Sequence, residues 1–126
     1  MPITTSLEVS KRLKESGYPQ ESVFYWVVNS VIPSDTQIKL KKDCGSWKHS
    51  KKIQDSGAIK YYSAPTASEL LEKLPKDSHL ALFRTISGGW GVNIDNTEQT
   101  ALYGGTPQDA LAELYIHLIK EKIITN

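Results

Sequence analysis

A stretch near the middle of the chain, KLKKDCGSWKHSKK at residues 39–52, concentrates side chains that could do chemistry. It holds the chain's one cysteine, Cys44, together with His49, Trp47 and six lysines. Such residues suit a metal centre, a cysteine nucleophile or a site that holds phosphate groups. The six lysines are Lys39, Lys41, Lys42, Lys48, Lys51 and Lys52.

Metal binding and nucleophilic catalysis are the less favoured interpretations of this segment. A zinc site needs three or four ligands, and the chain has no second cysteine to join Cys44 and His49. The other histidines, His79 and His117, stand alone on other predicted elements, with no serine or carboxylate at a spacing that identifies a triad. We therefore predict no metal, no cofactor and no catalytic residue, and a protein that is not an enzyme.

The lysines and aromatic residues favour the binding of an anion instead. Ammonium groups can hold phosphates while an aromatic ring stacks on a base, the combination used for nucleotides and single-stranded nucleic acid. A solvated loop that keeps an edge strand from pairing with other chains explains the same lysines, and so does an acidic protein partner. The candidate ligand-binding residues are Lys39, Lys41, Lys42, Trp47, Lys48, Lys51, Lys52, Tyr61 and Trp90.

The distribution of charge points to the same segment. Residues 39–60 contain seven cations and two anions, although the whole chain has a net charge of only +1. Residues 1–38 contain three cations and four anions, and residues 61–126 contain five and eight. The positive charge is therefore concentrated between two mildly acidic regions.

Length and composition are typical of one folded domain. The chain has 126 residues, of which 39% are hydrophobic and 23% are charged. A single cysteine excludes an intramolecular disulfide, and no apolar run is long enough for a signal peptide or a membrane span. We expect an intracellular protein with one domain over residues 1–126 and no membrane contact.

The elements that would position these residues can be predicted from local patterns. Hydroxyl residues followed three positions later by an acidic residue mark helix starts at Thr5, Thr66 and Thr106, and Gly17 and Pro75 favour the first two ends. The second helix is expected to bury Leu70, Leu71 and Leu74, and the third Leu111, Leu114, Tyr115 and Leu118. The predicted helices span about residues 6–16, 66–74 and 107–122.

Aromatic, β-branched and alternating segments predict the strands. Residues 23–28 and 37–41 form one expected hairpin, and residues 80–86 and 90–94 form another. Residues 58–63 and 101–103 add shorter strands. The order of elements predicts an α+β fold, with three helices packed on an antiparallel or mixed sheet of four to six strands.

Three blocks of the sequence carry a resemblance to a known group of proteins. The blocks are SLEVSKRLKESGYPQESVFYW at residues 6–26, YYSAPTASELLEKLP at residues 61–75 and DALAELYI at residues 109–116. They resemble an uncharacterised family of small bacteriophage and prophage proteins. The resemblance implies a phage or prophage origin and action in the host cytoplasm, but it supplies no catalytic residue and does not include residues 39–52.

The sequence thus favours a small non-enzymatic, phage-type binding protein. We expect it to antagonise host defence or metabolism by binding or sequestering a nucleotide-like ligand or a host protein through residues 39–52. The alternative is a nucleic-acid-binding accessory protein that uses the same residues. Assembly into a homo-oligomer stays open.

Overall fold

The computed structural model describes residues 3–29, 36–40, 59–75, 79–94 and 101–121. Within these ranges the chain has the predicted α+β class, with three helices and six strands. The helices are α1 (Leu7–Glu15), α2 (Ala67–Lys73) and α3 (Pro107–Lys120). The strands are β1 (Phe24–Asn29), β2 (Gln37–Leu40), β3 (Ile59–Ser63), β4 (Leu80–Arg84), β5 (Trp90–Ile94) and β6 (Leu102–Gly104).

The six strands form two antiparallel sheets of three strands each. The first sheet has the order β2-β1-β3, and the second has the order β4-β5-β6. Both predicted hairpins are confirmed, since β1 pairs with β2 and β4 pairs with β5. In the first sheet Trp26 lies between Ile38 and Tyr62, so β1 is the central strand and β3 lies at an edge.

The main hydrophobic core lies between the second sheet and the helices. The predicted stripe of α3 is confirmed, because Leu111, Leu114, Tyr115 and Leu118 are all buried there. For α2, Leu70 and Leu74 are buried as predicted, but the prediction for Leu71 is wrong, since 47% of that residue is exposed. Leu70 and Leu74 are four residues apart and share one helix face, whereas Leu71 points about 100° away from Leu70.

The helix starts are confirmed for α2 and α3 and corrected for α1. Thr66 and Glu69 form a reciprocal capping box, and Thr106 accepts a hydrogen bond from the Asp109 amide. At α1 the cap is Ser6, whose side chain accepts from the Val9 amide, and not Thr5. The Thr5 hydroxyl instead forms a buried 2.6 Å hydrogen bond with that of Ser10.

Gly17 ends α1, as predicted, through a Schellman motif. The Tyr18 amide donates to the Leu13 carbonyl at 2.9 Å, and the Gly17 amide donates to the Lys14 carbonyl at 3.0 Å. This motif requires a left-handed residue, and Gly17 has a φ of +92°.

Among the helices of the described ranges, none combines the length and apolar character needed to cross a membrane.

Candidate anion-binding groove

The structure describes three of the nine candidate ligand-binding residues, Lys39, Tyr61 and Trp90. Lys39 lies on β2, and strand alternation places it on the same face of the first sheet as Tyr25 and Tyr61. The other six candidates, with Cys44 and His49, lie outside the described residues; the six are Lys41, Lys42, Trp47, Lys48, Lys51 and Lys52.

The two aromatic candidates serve packing in different sheets. Tyr61 is only 7% exposed and packs with Tyr25 and Val27 on one face of the first sheet. Trp90 lies in the second sheet, half-buried against the main core, with the Arg84 guanidinium 5.8 Å from the centre of its ring. The Tyr61 ring is therefore nearly covered by packing, and the Trp90 ring is partly exposed.

A cationic groove lies elsewhere, between α1 and the edge strand β3. Its volume is about 410 Å³, within the range of roughly 300–1,000 Å³ that small-ligand sites occupy. Three lysines, one carboxylate and two tyrosines line it. The lining residues are Lys11, Lys14, Glu15, Lys60, Tyr61 and Tyr62.

Local periodicity explains which side chains reach the groove. Val9 and Leu13 turn one face of α1 into the core, which leaves Lys11, Lys14 and Glu15 exposed on another face. Those three positions are three and four residues apart, so they are neighbours on the helix surface.

Strand alternation supplies the opposite wall of the groove. In β3 the side chains of Lys60 and Tyr62 point to the same side, opposite to those of Tyr61 and Ser63. Lys60 is exposed and Tyr62 is half-buried. A helix and a strand therefore present three ammonium groups to one space.

Two of these ammonium groups lie near the ring of Tyr62. The Nζ atom of Lys14 lies 5.0 Å from the centre of the Tyr62 ring, and that of Lys11 lies 5.8 Å away. Both distances are within the roughly 6 Å over which an aromatic face attracts a cation. Lys14 also donates a 3.1 Å hydrogen bond to the carbonyl of Tyr61 at the sheet edge.

Two hydrogen bonds of Thr5 backbone atoms fix the walls of the groove to each other. The Thr5 amide donates to the Pro65 carbonyl at 3.1 Å, just beyond the end of β3. The indole of Trp26, on the central strand, donates to the Thr5 carbonyl at 3.0 Å. The start of α1 is thus attached to the first sheet, and the groove does not depend on a long side chain to keep its shape.

The charges of the groove are only partly balanced. Lys60 and Glu15 form no ion pair with any residue that the structure describes. On the neighbouring face of α1, Arg12 pairs with Glu113 at 2.7 Å. The hydrogen bond to Glu113 raises the pKa of Arg12; burial opposes this rise, and the charges of Glu113, Glu8 and Glu15 add to it. Three lysines and one carboxylate leave the groove with a net positive charge.

The glycine-rich turn before α3 offers no comparable site. A Cβ atom on Gly104 would lie 2.5 Å from the Ala110 amide nitrogen, so the turn packs directly on the helix. The Asp109 carboxylate accepts a 2.8 Å hydrogen bond from the Ser6 amide near the first turn of α3. That carboxylate would repel an anion at this helix end.

Sequence reasoning missed the groove because its residues are distant along the chain. Lys11 and Lys14 are exposed on α1, and no local pattern predicts their approach to Lys60. The available signals were the spacing of three between the two helix lysines and the run Lys60-Tyr61-Tyr62, which places a charge beside two aromatic rings.

In the described ranges, no three histidine, cysteine, aspartate or glutamate residues are placed to hold a metal ion.

Comparisons with protein-family models, with curated proteins and with solved structures found no match to this chain.

Proposed function

We propose that the protein is a non-enzymatic binding protein that holds a small phosphate-bearing, nucleotide-like ligand in the groove between α1 and β3. The observation that supports it is the approach of Lys11 and Lys14 to the Tyr62 ring, in a groove that Lys60 also lines. Ammonium groups held near one another repel, and an anion between them relieves that repulsion while gaining charge-assisted hydrogen bonds. An aromatic ring beside the cations gives a base or a ribose an apolar surface to contact.

The setting of this activity is part of the proposal. The three sequence blocks that resemble phage and prophage proteins favour action in a host cytoplasm, with the ligand a host nucleotide. Two of those blocks contribute to the groove, since residues 6–26 include α1 and residues 61–75 include the end of β3. The resemblance and the groove therefore involve the same part of the chain.

The test uses adenosine monophosphate as the probe in isothermal titration calorimetry of the full chain. Lys11→Ala and Lys60→Ala should each weaken binding about tenfold, the equivalent of roughly 1.4 kcal/mol. Lys73→Ala is the matched control, because Lys73 is an exposed lysine on α2 that does not line the groove. Affinities of both groove variants equal to that of Lys73→Ala would contradict the proposal.

Salt dependence separates this function from the nucleic-acid alternative. A small ligand held by two or three lysines should lose affinity modestly as salt rises, with a fixed stoichiometry of one. A single-stranded oligonucleotide that contacts many phosphates should lose affinity steeply, with a slope near −0.7 for each phosphate neutralised. Tight, steeply salt-dependent binding of an oligonucleotide, with no binding of adenosine monophosphate, would favour the alternative.

A further inference from the structure

The three lysines of the groove are not equivalent. Lys14 is engaged within the protein, because its Nζ atom donates to the Tyr61 carbonyl and lies closest to the Tyr62 ring. The Lys11 ammonium lies 5.8 Å from the centre of that ring, and the side chains of Lys11 and Lys60 form no hydrogen bond or ion pair with a described residue. The protein therefore holds Lys14 in place while its charge remains, and Lys11 and Lys60 are the less engaged cations of the groove.

Glu15 places a negative charge at the border of the same groove. It follows Lys11 by four residues on α1, so the two side chains are neighbours on the helix surface. It has no ion-pair partner among the residues that the structure describes. An anion that enters the groove therefore meets a carboxylate that forms no ion pair with a described residue, although the cations of Lys11 and Arg12 lie on the same helix.

These charges define how much negative charge the groove can accept. A phosphomonoester carries about −1.5 to −2 at neutral pH, which the groove balances with three lysines and one carboxylate. A second or third phosphate would bring negative charge beyond that balance, within a groove that Glu15 also lines. A like-charge contact over several ångströms near a protein surface reduces affinity roughly threefold to thirtyfold.

We infer that the groove selects ligands with one terminal phosphate, of the nucleoside monophosphate class, and that Glu15 discriminates against di- and triphosphates. This inference rests on the proposed function, since it assigns a ligand class to the same groove. The Glu15 carboxylate can also accept a hydrogen bond from a hydroxyl or amino group of the ligand, which a pure polyanion lacks.

The experiment compares adenosine mono- and triphosphate by calorimetry, at one ionic strength and with EDTA to remove divalent cations. The wild-type chain should bind the monophosphate about tenfold more tightly than the triphosphate. Glu15→Gln, which keeps the shape of the side chain, should reduce that preference to about threefold or less by tightening triphosphate binding. Glu121→Gln is the control, because it removes the same charge from an exposed residue that does not line the groove.

The outcomes distinguish the two proposals. An unchanged preference in Glu15→Gln, with monophosphate binding still weakened by Lys11→Ala and Lys60→Ala, would overturn the specificity inference and leave the proposed function standing. An equal loss of affinity for both nucleotides in Glu15→Gln would overturn the specificity inference as well. Absence of binding of either nucleotide to the wild-type chain would overturn both proposals. Circular dichroism of each variant verifies that the fold is retained.

Discussion

The two sheets of this protein bury different kinds of side chain. The second sheet packs aliphatic residues such as Leu80, Val92 and Leu102 against the leucines of α3. The first sheet buries Tyr25 and Tyr61, which pack together with Val27. One core is thus largely aliphatic, and the other contains aromatic rings with polar atoms.

Directional bonds hold the first sheet together at the end of β3. The Ser63 hydroxyl donates to that of Ser22 at 2.6 Å, and the Ser63 amide donates to the Gln20 side chain at 2.7 Å. The Tyr25 hydroxyl donates to the Gln20 carbonyl, also at 2.6 Å.

The two sheets therefore contribute differently, one mainly to stability and the other mainly to the geometry of the groove. Apolar burial is non-directional and contributes most where many side chains pack, as around α3. Hydrogen bonds fix positions, and those at Ser63 fix the strand that carries Lys60 and Tyr62 into the groove. We therefore expect stability to be concentrated in the second sheet with α3, and ligand geometry to depend on the first.

The largest effect should come from the aliphatic core. Leu114 is fully buried in α3, so Leu114→Ala should lower the free energy of unfolding by about 2–5 kcal/mol through lost burial and a cavity. Leu71→Ala is the matched control, because Leu71 is 47% exposed and its truncation should change stability by less than about 1 kcal/mol. Urea unfolding measures both, and similar losses in the two variants would contradict the location of the core.

A smaller loss of stability, with a loss of binding, should follow from Ser63→Ala. The change leaves the Ser22 hydroxyl and amide without their buried partner, which costs about 1–3 kcal/mol. Because Ser63 fixes the end of β3, binding of adenosine monophosphate should also weaken. Ser68→Ala, at an exposed position of α2, is the control for both measurements. A Ser63→Ala variant that unfolds and binds like this control would contradict the positioning role of the polar sheet.

Local signals predicted most of the elements because the forces that set them act over a few residues. The Thr66 capping box, the Thr106 cap, the Gly17 stop and the two hairpins each depend on residues that are close to one another in sequence. The prediction failed at Thr5 because that residue has a tertiary role. Its hydroxyl bonds Ser10 and its amide bonds Pro65, so Ser6 caps the helix instead.

The groove and the partition into two sheets could not be predicted in the same way. Lys11 and Lys60 are far apart in sequence, and only the packing of α1 beside β3 brings them to one space. The six lysines of residues 39–52 are clustered in the sequence. Clustering along the chain does not determine which side chains converge in space. The sequence-based proposal for residues 41–52 stays a prediction, since they lie outside the described residues.

The smallest effect is a pH dependence that should arise from two tyrosines in the aliphatic core. Tyr18 is 4% exposed there, with its ring centre 5.0 Å from that of Tyr115. Burial raises the pKa of Tyr18, and the charges of Glu69 and Tyr115 add to the rise; burial also raises the pKa of Tyr115. The folded state therefore holds these protons more tightly than the unfolded state, whose tyrosines titrate near a pKa of about 10.

Stability from this source is complete below about pH 10 and is lost as the pH rises towards the folded-state pKa. Tyr18 should contribute a loss of about 1 kcal/mol between pH 10 and pH 11, measured by urea unfolding at both values. In the Tyr18→Phe variant, the loss of stability between pH 10 and pH 11 should be smaller by about 1 kcal/mol. The contribution of Tyr115 to that loss should remain. Other groups that titrate in this range contribute equally to the wild-type and Tyr18→Phe proteins, so their contribution cancels when the two losses are compared. Equal losses in the wild-type and Tyr18→Phe proteins would contradict the contribution of Tyr18 to this pH dependence.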